Sequence, residues 1–111
     1  MFIAMNRFRV VRGQEAEFET VWRSRPSRIA DEPGFVQFTL LKGPEREDHT
    51  LYSSHTVWKD RDAFVAWTKS DAFRIAHARG GETKGLYLGH PEFEGFESLP
   101  DLLLTARDVA A

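Results

Sequence analysis

Residues 2–11 read Phe2-Ile3-Ala4-Met5-Asn6-Arg7-Phe8-Arg9-Val10-Val11. Phe2, Ala4, Phe8 and Val10 alternate with Ile3, Met5, Arg7, Arg9 and Val11, the period of two that sends successive side chains to opposite faces of a strand. Both faces begin apolar, Phe2 and Ala4 on one and Ile3 and Met5 on the other. A strand of this kind needs cover on both sides.

Working outward, the pattern changes at Gln14, where Phe18, Val21, Trp22 and Arg25 recur at helical spacing. Glu15, Glu17 and Glu19 sit in the first turns, where the helix dipole favours acid. Pro26 ends or kinks this helix, and Asp31-Glu32-Pro33-Gly34 is a turn signal. A strand is predicted from about Phe35 to Lys42, a loop over Gly43–Asp48, and a second strand from about Thr50 to Trp58, the two pairing as a hairpin. Asp60 can cap a helix carrying Ala63, Phe64 and Trp67. Ser70 can recap a second segment with Phe73, Ala76 and His77, stopped by Gly80-Gly81, so the reading is one broken helix. Gly81–Pro91 is weakly patterned and reads as a loop. Phe93–Leu99 is the last strand, its Gly95 interruption suiting a bulge. Residues 1–99 form the domain, and 100–111 a C-terminal tail.

The order strand, helix, strand, strand, helix, strand is that of an α+β, ferredoxin-like βαββαβ arrangement with an antiparallel sheet. Two helices can cover one face only, so a homodimer whose sheets face each other as a β-barrel is the economical cover for the second.

Composition bounds the chemistry. At 111 residues the chain is long enough for one core and too short for two. A net charge of -2 offers no basic field for nucleic acid. The absence of cysteine excludes disulfides and thiolate ligation of zinc or haem. No apolar stretch approaches the roughly 20 residues of a membrane span, which makes the cytoplasm the expected location.

Taken singly, the polar and aromatic residues of interest have plain readings. Asn6, on the row of Phe2 and Phe8, can bond a neighbouring loop or water. His77 can cap a helix C-terminus, and Trp67, one turn from Phe64, can be core. Arg23, Arg25 and Arg28 include candidate partners for a ligand carboxylate. His49, His55 and His90 lack the spacing of a multi-histidine metal site and read as solvated or core-edge groups. Glu45, Glu47 and Asp48 read as a solvated turn, and no catalytic triad, P-loop or dinucleotide fingerprint is present.

Jointly, the segments Phe2–Phe8, Pro33–Phe38, Ser53–Trp58, Phe64–Trp67 and Phe73–His77 resemble, in order, the blocks of the Isd-type haem-degrading monooxygenases, within the wider antibiotic-biosynthesis-monooxygenase superfamily. The Pro-Gly-Phe turn and the strand ending at Trp58 are features of the superfamily, whereas Asn6, Trp67 and His77 together point to haem. The resemblance implies His77 as the proximal iron ligand, Asn6 as the distal amide and Trp67 as the wall that distorts the porphyrin, with Phe64 and Phe73 beside the cofactor. It implies an enzyme for which haem is substrate and cofactor, with dioxygen and external electrons from a reductase or small reductant, and iron release as the outcome. In a continuous helix residues 67 and 77 would lie about 15 Å apart along the axis and roughly 80° apart around it, so the break at Lys69-Ser70 is what lets them reorient. The loop Gly80–Gly89 is expected to flex to admit a flat cofactor. Two alternatives remain at this stage: a cofactor-free oxygenase of an aromatic or polyketide-like molecule, leaving His77 idle, and a haem carrier without turnover.

Overall fold

The alternating run at the N-terminus becomes an inner strand of a four-stranded antiparallel sheet. The computed structural model describes residues 1–24, 28–78 and 85–106. Its elements are β1 (Phe2–Val11), α1 (Glu15–Ser24), a 3-10 turn (Ile29–Asp31), β2 (Phe35–Glu45), β3 (His49–Trp58), α2 (Arg61–Thr68), α3 (Asp71–Ala78), β4 (Tyr87–Glu97) and a second 3-10 turn (Pro100–Leu102). The sheet order is β2-β3-β1-β4, the ferredoxin-like α+β fold expected. Pro26 lies outside the described residues, as does the Gly80-Gly81 helix stop.

Register explains the core. Phe2, Ala4, Phe8 and Val10 are buried on the helix-covered face, where Phe2 pairs with Trp58, Ala4 with Thr56 and Phe8 with Tyr52. Two clusters form there. Phe8, Val10, Phe18 and Tyr52 pack under α1 with Trp22 and Tyr87, and Phe2, Ala4 and Trp58 pack under α2 with Phe64 and Trp67. Hydroxyls of β3 fasten α1 by its glutamates: Thr50 donates to Glu15 at 2.9 Å and Tyr52 to Glu19 at 2.5 Å. The Tyr52 hydroxyl holds the Glu19 carboxyl below the usual glutamate range, while burial and then the same carboxylate push the tyrosine up.

Asp60 caps α2 by accepting from the Ala63 amide at 2.8 Å, and Ser70 caps α3 by accepting from the Phe73 amide at 3.1 Å. The helix is broken where the sequence indicated. Two boundaries differ from expectation. β2 runs on to Glu45 through an irregularity between Lys42 and Glu45, leaving only Arg46–Asp48 as the connection. β4 starts at Tyr87, not Phe93, so residues expected to be loop are strand. Its bulge also lies elsewhere than Gly95: Gly89, His90 and Pro91 all stand opposite Phe8, between the pairs Arg9–Leu88 and Arg7–Glu92. Gly89 has φ +64 and Pro91 has no amide proton. Both interrupt the alternation that would reveal a strand, and both suit a bulge on an edge strand.

The turn into β2 depends on Gly34. Its φ is +82, and a Cβ there would lie 2.5 Å from the Ala63 Cβ of α2. Its carbonyl accepts from the Lys59 amide at 2.7 Å. Gly34→Ala is therefore expected to cost about 2–3 kcal/mol, left-handed strain plus overpacking, read as a lowered urea midpoint with an unchanged slope.

Candidate functional site

Between the two clusters lies a cavity of about 1290 Å³, above the ~300–1,000 Å³ typical of small-molecule sites. Its floor is the middle of the sheet: Asn6 pairs with Ser54 and with Phe93 on its two sides, and Thr56 lies next along β3. Asn6 is half-buried, and its amide makes no side-chain hydrogen bond among the described residues. The cavity therefore has a polar centre in an apolar surround, with donors and acceptors left for a guest.

Trp67 reaches the cavity from α2. Its ring lies 5.5 Å from Trp58, 6.2 Å from Phe64 and 4.8 Å, edge-on, from Phe73. The Trp67 indole N–H is buried without a partner among the described residues, an arrangement that costs on the order of 1–3 kcal/mol unless something accepts from it.

His77 comes from the last turns of α3, where its ring stacks on Phe73 at 3.9 Å between centroids and 29° between planes. Its Nδ1 lies 2.9 Å from the Phe73 carbonyl oxygen. A carbonyl only accepts, so the neutral ring carries its proton on Nδ1 and keeps the Nε2 lone pair. The α2–α3 break permits this: Phe73 bridges the indole of one helix to the imidazole of the next. Asn6, Phe64, Trp67, Phe73 and His77 all line the one cavity.

This donor set fits an iron porphyrin. A neutral imidazole with its second nitrogen tied to a backbone carbonyl is a normal haem ligand, and flat aromatic walls suit a macrocycle. Among the described residues no group of three or more His, Asp or Glu gathers as a metal site.

Sequence reading missed two floor residues, Ser54 and Thr56. The signal for them was the alternation of residues 50–58, which needs the β1–β3 register to become a site. His90, read as a solvated or core-edge group, is exposed, and the bulge of β4 sets it at the edge of the cavity lining. The flexing loop Gly80–Gly89 lies partly outside the described residues, and its end, from Tyr87, is β4.

Comparison with known proteins adds the following. The family model described as Antibiotic biosynthesis monooxygenase matches residues 1–79. The chain is 45% identical over 60 residues to the deoxynogalonate monooxygenase of Streptomyces nogalater, a match spanning 54% of this chain and only 48% of that relative. It is 33% identical over 76 residues to heme oxygenase (staphylobilin-producing) 1 of Staphylococcus aureus, covering 68% of this chain and 70% of that one. Among solved structures, the heme-degrader MhuD of Mycobacterium tuberculosis with two hemes in its active site superposes with a TM-score of 0.71 at 25% identity, covering 96% and 100% of the two chains. SnoaB of Streptomyces nogalater, a cofactor-independent oxygenase, superposes with a TM-score of 0.62 at 34% identity, covering 88% and 92%.

Proposed function

This chain belongs to the antibiotic biosynthesis monooxygenase family, and from that membership and the character of its cavity we infer that it is a haem-degrading monooxygenase. The observation that carries the reading is the Nδ1 contact of His77 with the Phe73 carbonyl, which leaves Nε2 as an iron donor. Similarity to the staphylococcal heme oxygenase and to MhuD supports it.

Bound haem would supply the redox chemistry by which dioxygen and external electrons open its own ring. The chain's part is to hold and orient it. His77 grips from the α3 side. Asn6 would offer it an amide N–H from the sheet, and Trp67, backed by Trp58 and Phe73, would wall the cavity against it. Phe64 and Phe73 would add apolar cover that excludes water. We also propose that a second copy covers the outer sheet face, where Leu41 and Phe96 stand exposed, and that a reductase or small reductant supplies the electrons.

A second reading, oxygenation of a flat aromatic substrate without a cofactor, is favoured by the similarity to SnoaB. In it the Asn6 and Ser54 groups would bind substrate oxygens, and His77 would have no iron to hold. Haem titration separates the readings. A Soret band that forms and is then lost under air and ascorbate is expected; a persistent band would indicate a carrier, and no saturable binding the cofactor-free enzyme.

Trp67 variants sharpen this. Trp67→Ala is expected to leave haem affinity nearly unchanged and to slow ring opening about tenfold or more, since distortion acts on the barrier and not on binding. Trp67→Phe retains bulk without the N–H and should keep most of the turnover. Equal loss in both variants would shift the role from wall to donor.

A further inference from the structure

The charged or chargeable side chains on the described lining of the cavity are Arg28, His77 and His90, with no aspartate or glutamate, although the chain as a whole carries a net charge of -2. All three are exposed, so they stand at the rim, while Asn6, Ser54 and Thr56 are sunk in the floor. Arg28 differs from the arginines that are already engaged: Arg7 pairs with Glu94, Arg12 with Glu45, Arg23 with Glu19 and Arg74 with Asp71. Arg28 forms no ion pair among the described residues, and Asp31 of the same turn is not on the lining. Its backbone is fixed all the same. Its carbonyl accepts from the Asp31 amide at 3.0 Å, and the next residue, Ile29, packs on the Phe2–Trp58 cluster.

We propose that the cavity selects an amphipathic aromatic acid, its flat body between the two clusters and a carboxylate at the rim, and that Arg28 is the residue that reads the carboxylate. The inference rests on the reading above that the guest is a flat aromatic. It adds the requirement for an anionic edge, which haem and a carboxylated polycyclic substrate both meet. A carboxylate is the fitting anion because one guanidinium matches it in charge and in its planar, two-donor fork. The opposite pose, with the acid inward, would meet the neutral Asn6, Ser54 and Thr56 groups and no positive charge.

The test is quenching of the chain's tryptophan fluorescence, to which Trp22 and Trp67 on the lining contribute, by two pairs of probes, anthraquinone-2-carboxylate against its methyl ester and protoporphyrin IX against its dimethyl ester. Each acid is expected to bind about tenfold more tightly than its ester, the size of a hydrogen-bonded charge pair. The preference should vanish in Arg28→Gln and be weakened but not lost in Arg28→Lys, which keeps the charge without the fork, with thermal melts confirming that both variants fold. Acids and esters binding wild type alike, Arg28→Gln keeping the full preference, or no saturable quenching by any probe would each overturn the proposal. Failure here is distinct from failure of the haem reading. A haem Soret shift with no acid preference removes the role of Arg28 alone, whereas an acid preference for the anthraquinone with no porphyrin bound removes the haem reading and retains Arg28.

Discussion

His77→Ala is expected to lose the ligation-dependent Soret shift and to bind haem on the order of 100-fold more weakly or worse, because removing even the partner that orients a metal-bound histidine commonly costs about 10–100-fold. The argument is local. The Phe73 carbonyl fixes which nitrogen carries the proton, and the Phe73 ring fixes the plane of the imidazole, so the donor is arranged before any ligand arrives. Alanine removes the donor but leaves the helix intact, since His77 is exposed and near the end of α3. Two companion measurements make the result specific. Free imidazole should restore the spectrum in the variant, and its thermal midpoint should match wild type. A His77→Ala protein that takes up haem with an unaltered band and affinity would end the haem reading.

Trp58→Ala carries the largest stability cost expected in this chain, about 3–5 kcal/mol, roughly a fifth or more of the ~5–15 kcal/mol that holds a typical domain folded. Trp58 is fully buried at the end of β3 and contacts Phe35, Phe64 and Trp67. Its indole N–H donates to the Thr56 hydroxyl at 3.1 Å, which in turn donates to the Ala4 carbonyl at 3.3 Å. Truncation opens a void under α2 and leaves Trp67 without its backing ring. Trp58→Phe keeps much of the volume and loses only the N–H, so about 1 kcal/mol is expected. Urea denaturation should separate the two variants widely. Similar midpoints would show that the core closes over the void and that the indole is not what seats α2.

The topology was legible because period-two and helical spacing alternate cleanly along the chain up to Ala78, and because Asp60 and Ser70 are caps whose side chains accept from amides three residues on. β4 was not fully legible. Gly89, His90 and Pro91 disrupt the alternation where the strand bulges, and Tyr87 and Leu88 were then too few to mark a strand on their own. Gly95 was noticed for the wrong reason: it is small because a Cβ would meet the Phe2 ring at 2.7 Å. In the site, Asn6, Trp67 and His77 stood out by residue type and family likeness. Ser54 and Thr56 are ordinary strand residues until pairing sets them beside Asn6 and Ala4. Arg28 could not be told from other arginines, since its distinction is its place on the cavity lining.

The binding site occupies the seam between two separately packed aromatic clusters. α1 and the α2–α3 pair are therefore seated on the common sheet by separate sets of contacts. Each carries its own anchorage, the glutamate bonds to Thr50 and Tyr52 on one side and the Phe2–Trp58 packing on the other. A substitution within one cluster is therefore expected to leave the anchorage of the other in place.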